Sequence, residues 1–195
     1  MSDGPTVAAA AFAHLLPRDM FTRSLKRFGD RPCLTMGAKT LTYRDVDLAS
    51  NRVANALLAR GIGHGDHVAL YLRNGFEVVI ADMAIVKLGA ARVPMNEMLS
   101  GSDVDYMLAH SDAKALIAHS SFAENLTVAA SSVEQIAVCI CVEDSGPLEG
   151  FEPFEGVAGA AADKDAPGPD LSPSDTHFIG YTGGTTGRSK GVMHR

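Results

Sequence analysis

No apolar run in the sequence approaches the roughly eighteen residues that a helix needs to cross a bilayer. The opening stretch, MSDGPTVAAAAFAHLLPRD, has an apolar patch, but an acidic residue and no basic one precede it. That is poor signal-peptide chemistry, and a cytoplasmic chain is expected. Cysteine is scarce, with only Cys33, Cys139 and Cys141. The last two fall on one face of an expected strand, where mutual pairing is sterically poor, and no zinc-ligand spacing occurs. All three read as small buried hydrophobes in a reducing compartment. A basic excess is missing too. Residues 143–175 hold nine acids against one base (net −8), so the rest of the chain carries +2 of the overall −6. Such a body has no footprint for duplex nucleic acid, and no nucleic-acid partner is expected. No internal repeat is visible.

What is present is an ordinary globular balance, 46% hydrophobic and 21% charged over 195 residues, enough to bury a core. Residues 18–28 suit an amphipathic helix with Met20, Leu25 and Phe28 on or near one face. Residues 33–36 and 40–43 read as two short strands around a turn. Thr42 and Asp45 resemble a capping box. After it Val46, Ala49, Val53 and Leu57 step at helical spacing until Gly61. Residues 67–72 are strand, 76–88 a deeply buried helix ending at Gly89, and 91–95 a short extended piece. A helix follows with Ser102 as its N-cap. Residues 113–119 are strand, 121–133 helix and 135–143 strand.

Strands apolar on both faces that alternate with helices predict an α/β fold, a mainly parallel sheet with helices on both faces. The expected organisation is a flexible segment over 1–16 and an α/β body over 17–143. An acidic Pro/Gly-rich connection covers 144–175, with a strand, a loop and the start of a next strand over 176–195. The connection is long and irregular, a solvated surface loop by composition.

The chain closes on YTGGTTGRSKGVMHR, residues 181–195. Gly183, Gly184 and Gly187 can take positive φ and let the backbone approach a ligand, and successive N–H groups turned inward make an anion site. Thr182, Thr185, Thr186 and Ser189 add hydroxyls that reach phosphate oxygens or a hard metal ion. Lys190 adds a positive charge, and Arg188 is a candidate for a second. The combination suits a polyphosphate. A Walker loop needs Lys directly after its last Gly, whereas Lys190 stands three residues after Gly187 and is followed by Gly191. The dinucleotide spacing G-x-G-x-x-G is absent as well. A phosphate-loop NTPase is therefore excluded.

The segment YTGGTTGRSKGVM resembles the phosphate-binding signature of the adenylate-forming superfamily of acyl-CoA synthetases, luciferases and peptide-synthetase adenylation domains. The form T-[SG]-G-T-T-G-x-[PS]-K-G is matched at Thr182, Gly183, Gly184, Thr185, Thr186, Gly187, Ser189, Lys190 and Gly191. The likeness extends to the T-Y opening before the long helix, the G-x-x-x-G-D turn at 61–66, Asn74 with Glu77, and K-x-G-A before V-P-x-N over 87–96.

The resemblance implies an enzyme that activates a carboxylic acid with Mg-ATP to an acyl-adenylate and pyrophosphate. A thiol, usually coenzyme A (CoA), then displaces AMP. It implies that Thr182, Gly183, Gly184, Thr185, Thr186 and Gly187 wrap the β and γ phosphates. Thr182 would meet Mg²⁺, and Lys190 would assist electrostatically without being the catalytic lysine. Family members are far longer, so the sequence is expected to be an N-terminal portion, inactive alone and prone to self-association. TGGTTGRSKG most resembles bacterial fatty acyl-CoA synthetases. The alternatives are a ligase for an aryl or amino acid and an inert binding or scaffolding module. His194 is expected to be a surface histidine without a role.

Overall fold

A computed structural model describes residues 16–165, 168–182 and 188–195. Residues 1–15, for which flexibility was expected, lie outside the described residues. Helix α1 (Pro17–Phe28) starts with proline at its first turn, carries Asp19 there, and ends with Lys26 and Arg27, each placement suiting the helix dipole. Met20 is exposed, and Phe21, Ser24, Leu25 and Phe28 form the inward face instead. A short antiparallel pair, β1 (Pro32–Met36) and β2 (Lys39–Thr42), leads into α2 (Tyr43–Ala59). The capping box expected there is present: Asp45 N–H donates to Thr42 Oγ1 at 3.1 Å, and Thr42 N–H donates to Asp45 Oδ2 at 2.8 Å.

Next come β3 (His67–Tyr71), α3 (Phe76–Leu88), β4 (Ala91–Pro94), α4 (Gly101–His110) and β5 (Ala113–His119). The cap of α4 is Ser100, not Ser102. Ser100 exchanges backbone and side-chain bonds with Asp103, three residues on, while Ser102 Oγ only meets Ser100 Oγ. Ser102 also has an acid three residues on, Asp105, but that carboxylate accepts from Ser131 and Ser132 instead, so tertiary partners and not spacing separate the two serines. The helix expected over 121–133 is broken into a 3₁₀ turn (Ser120–Phe122), α5 (Ala123–Val128) and α6 (Ala130–Val133).

Strand β6 (Val138–Val142) follows. The acidic connection then proves partly ordered: it contains β7 (Glu152–Pro153) and α7 (Phe154–Ala160), with Phe154 and Val157 buried. These two apolar residues, one helical turn apart, anchor a helix that Pro/Gly content alone argues against. The remainder straps across α2. Asn55 Nδ2 donates to the carbonyls of Ala162 and Lys164, Asn51 Nδ2 to that of Asp163, and Arg18 Nη1 to that of Pro169. Gly89, at φ +68, ends α3 and lets Leu171 pass where a Cβ would lie 2.4 Å from its side chain.

The seven-stranded sheet has the order β7-β6-β5-β3-β4-β8-β9, where β8 is Phe178–Thr182 and β9 is Lys190–His194. Every pairing is parallel except β8 with β9. Val68, Leu70, Ile117 and Ile140 point to one face, against α2, α3 and α7; Ala69, Tyr71, Val93, Leu116 and Ile179 point to the other, against α4 and α5. This is the period-two alternation of a sheet covered on both sides, and the α/β expectation holds. All three cysteines are free thiols, with Cys141 buried.

Candidate functional site

Open α/β sheets bind ligands outside the carboxyl ends of their strands. Strand β8 ends there at Thr182, whose cross-strand partner is Lys190, the first residue of β9. Both are exposed. The hairpin thus brings together two residues of the glycine- and threonine-rich stretch, an alcohol and an ammonium, at the mouth of the turn. Gly183, Gly184, Thr185, Thr186 and Gly187 lie outside the described residues.

Two side-chain clusters set this hairpin against the body. On one side Arg92 of β4, which makes the single paired position between β4 and β8, donates through Nε to the His177 carbonyl at 3.1 Å. Its Nη1 donates to both oxygens of Asp82 on α3, at 3.1 and 2.9 Å, and its guanidinium lies 5.5 Å from the Phe178 ring centroid. Burial pushes the Asp82 carboxyl up, and Arg92 offsets this only in part. The pair is therefore better read as fixing position than as adding stability. Burial, Arg92 and His194 also lower the His177 pKa.

On the other side stands α4. Tyr106 Oη donates to the Ser189 carbonyl at 3.0 Å, and His110, one turn on, shares a 2.8 Å hydrogen bond with Tyr181 Oη. The Tyr106 and Tyr181 rings meet edge to face at 6.5 Å. Burial first, then Tyr106 and Asp112, pushes the Tyr181 phenol up to about 12, so it stays protonated at neutral pH. A Cβ on Gly191 would sit 3.3 Å from the Tyr181 ring, so this glycine makes room for the aromatic on the neighbouring strand. Arg188 lies over Tyr106, 5.0 Å from its centroid. His194 packs edge-on against Phe178 at 5.2 Å and is exposed.

Sequence reasoning missed Tyr106, His110 and Arg92. The first two stand at i and i+4 on a capped helix, a spacing that shows a shared face but not what the face meets. No group of three or more His, Cys, Asp or Glu that could hold a metal occurs among the described residues. Thr182 offers one alcohol, which suits a Mg²⁺ held mainly by phosphate oxygens and water, but is no metal centre by itself. An apolar pocket of ≈ 170 Å³, lined by Pro17, Val86, Leu171 and Pro173 among others, lies at the amino ends of β4 and β8, away from Thr182. No helix among the described residues is long and apolar enough to cross a membrane.

At the carboxyl edge of a mainly parallel sheet, Thr182 thus stands opposite Lys190 across a Thr/Gly-rich stretch of sequence. The AMP-binding enzyme family matches residues 21–195, and the chain belongs to this family. It is 34% identical over 180 residues to a medium/long-chain-fatty-acid–CoA/3-oxocholest-4-en-26-oate–CoA ligase of Mycolicibacterium smegmatis, covering 91% of this chain and 32% of that protein. It is 31% identical over 167 residues to a 3-hydroxybenzoate–CoA/4-hydroxybenzoate–CoA ligase of Thauera aromatica, covering 85% of this chain and 32% of that one. Among solved structures, the anthranilate CoA ligase AuaEII in complex with anthranoyl-AMP superposes with a TM-score of 0.85 at 27% identity, over 91% of this chain and 34% of that one. The chain spans about a third of the length of these relatives.

Proposed function

We propose that this chain is the N-terminal portion of an ATP-dependent, AMP-forming acyl-CoA ligase, with a fatty acid as its most favoured substrate. One observation carries the reading: Thr182 and Lys190 face each other at the mouth of a glycine-rich hairpin on the carboxyl edge of the sheet. In the proposed reaction a carboxylate oxygen attacks the α-phosphorus of ATP, the bond to the bridging oxygen breaks, and pyrophosphate leaves. The thiol sulfur of CoA then attacks the acyl carbon and AMP leaves with the electron pair. The chain's contribution to the first step is to hold and neutralise the leaving polyphosphate. Thr182, Gly183, Gly184, Thr185, Thr186 and Gly187 would wrap the β and γ phosphates through amides and hydroxyls, and Lys190 would place its charge beside them. Mg²⁺, with Thr182 as one ligand, would supply Lewis-acid neutralisation of the phosphate oxygens.

The M. smegmatis relative supports a fatty acid; the T. aromatica relative supports a second reading, an aryl acid. Three free thiols suit a reducing compartment, the cytoplasm. The chain alone would bind ATP weakly or not at all and form no adenylate, and it would self-associate through the edge strand β9, where Val192 is 43% and Met193 61% exposed.

The test compares the 195-residue chain with the product of the whole reading frame. With Mg-ATP, CoA and a panel of fatty and aryl acids, the whole product should release pyrophosphate and AMP, and the chain alone neither. A folded whole product inactive on every carboxylate would leave only the inert-module reading standing. A clean monomer in sedimentation would remove the self-association.

A further inference from the structure

Thr182 and Lys190, where the hairpin's two limbs end and start, are each preceded by a residue that touches α4. We propose that Tyr106 of α4 is a positioning residue for the phosphate-binding turn, and that Arg188 is its partner in this anchor rather than a phosphate ligand. The proposal rests on the phosphate-site reading above.

The geometry is specific. One side chain on α4 touches both limbs: the Tyr106 ring meets Tyr181, the last residue before Thr182, and its hydroxyl holds the Ser189 carbonyl, the last before Lys190. The two residues that face each other at the mouth are thus each preceded by a residue tied to Tyr106. His110 adds a second tie to the incoming limb through Tyr181 Oη. On the outgoing limb the cation of Arg188 sits on the Tyr106 ring, an interaction worth having for an exposed guanidinium. From the sequence Arg188 is a candidate second phosphate cation. In the structure its charge is engaged with a ring, and Lys190 is the cation left at the mouth. A helix inside the body is a firmer reference than the hairpin's own ladder, since α4 is capped at Ser100 and buries Val104, Met107 and Leu108. Holding a loop's limbs in place beforehand lowers the ordering cost of binding.

The experiment titrates magnesium tripolyphosphate into the isotope-labelled chain and follows the amide resonances of Thr182, Ser189 and Lys190. Tyr106→Phe keeps the ring and loses the hydroxyl, and should weaken binding about threefold. Tyr106→Leu loses both and should weaken it about tenfold. Arg188→Gln, at an exposed position, should weaken it about threefold, and the double variant should be no weaker than Tyr106→Leu, because both changes remove one contact. Losses that multiply, or tighter binding in Tyr106→Leu, would assign Arg188 to the phosphate and overturn the anchor. Unchanged affinity in every variant would overturn it as well. If neither the unsubstituted chain nor the product of the whole reading frame responds at these amides, the phosphate reading itself fails. Hydrogen exchange without ligand still decides the anchor: Tyr106→Leu should speed exchange at Lys190 and Gly191 and leave β3 and β5 unchanged, and equal rates at the hairpin would refute it.

Discussion

The interior of the sheet and the β8–β9 hairpin are held by different means. Strands β3 and β5 pair over His67–Tyr71, and β5 pairs with β6 over five consecutive positions. Leu116, Ile117 and Ile140 there are fully buried. The hairpin meets this body at one paired position, Arg92 with Phe178, through the buried Ile179 and the Tyr181 ring, and at a few polar side chains. Backbone ladders with buried alternation specify register along a whole strand, whereas side-chain ties specify only points. The part of the molecule that carries the candidate chemistry is thus joined to the sheet by less backbone pairing than the central strands share, as ligand-binding segments generally are.

Core truncation should show the contrast most strongly. Ile117→Ala should cost about 2–5 kcal/mol in urea unfolding, while Ile179→Ala on β8 should mainly speed hydrogen exchange in the hairpin. Equal global losses would break the comparison. Next comes the Arg92–Asp82 pair, whose side chains are 16% and 28% exposed. Arg92→Met should cost about 2 kcal/mol by leaving Asp82 unpaired, with the damage concentrated at β8, and Arg92→Met with Asp82→Leu should recover most of it. A double variant no better than the single one would show that the ion pair itself is stabilising.

The helix caps rank below these. Thr42→Ala and Ser100→Ala should each cost about 1 kcal/mol in thermal unfolding, and Ser102→Ala should stay within about 0.5 kcal/mol of zero. A larger loss at Ser102 would restore it as the cap of α4.

Acid sharpens the same comparison by a smaller amount. Burial raises the Asp66 pKa, but Lys114 and the Gly63 N–H outweigh it, and the net shift is down. The Ser172 N–H and His64 hold Asp175 down. For a carboxyl lowered in the folded state, the stabilisation is complete above the unfolded value near pH 4 and is lost as pH falls through the folded value. Acid unfolding followed by circular dichroism should therefore begin below about pH 4. Asp66→Asn, which touches β5, should blunt this dependence more than Asp175→Asn, which touches the approach to the hairpin. The reverse order would mean that the hairpin's approach governs global stability.

Much of the body was legible because local signals and burial agree. The strand over Ala113–His119 coincides with the segment read from its apolar run, and Thr42 with Asp45 formed the box that its spacing suggested. Where composition and packing conflict, packing prevailed: α7 forms inside a Pro/Gly-rich stretch because Phe154 and Val157 find a core. Met20, expected on or near the inward face of α1, is exposed, because periodicity locates a face only approximately and Phe21 and Leu25 complete it better. In the site, Thr182 and Lys190 were named from the sequence, and the hairpin register brought them opposite each other. Tyr106 and Arg92 could not be named, since each matters through a residue more than eighty positions away.

The sequence by itself determined the alternation of strands and helices and the chemistry of the closing stretch. Both are written in near neighbours, through apolar period, cap spacing and the density of glycine, alcohol and cation. Only the tertiary structure decided which partners hold that stretch, that Arg188 rests on an aromatic ring while Lys190 stands at the mouth, and which end of the sheet carries the site. Those outcomes depend on side chains distant in sequence meeting once the core has closed, and close packing, unlike periodicity, leaves no local trace.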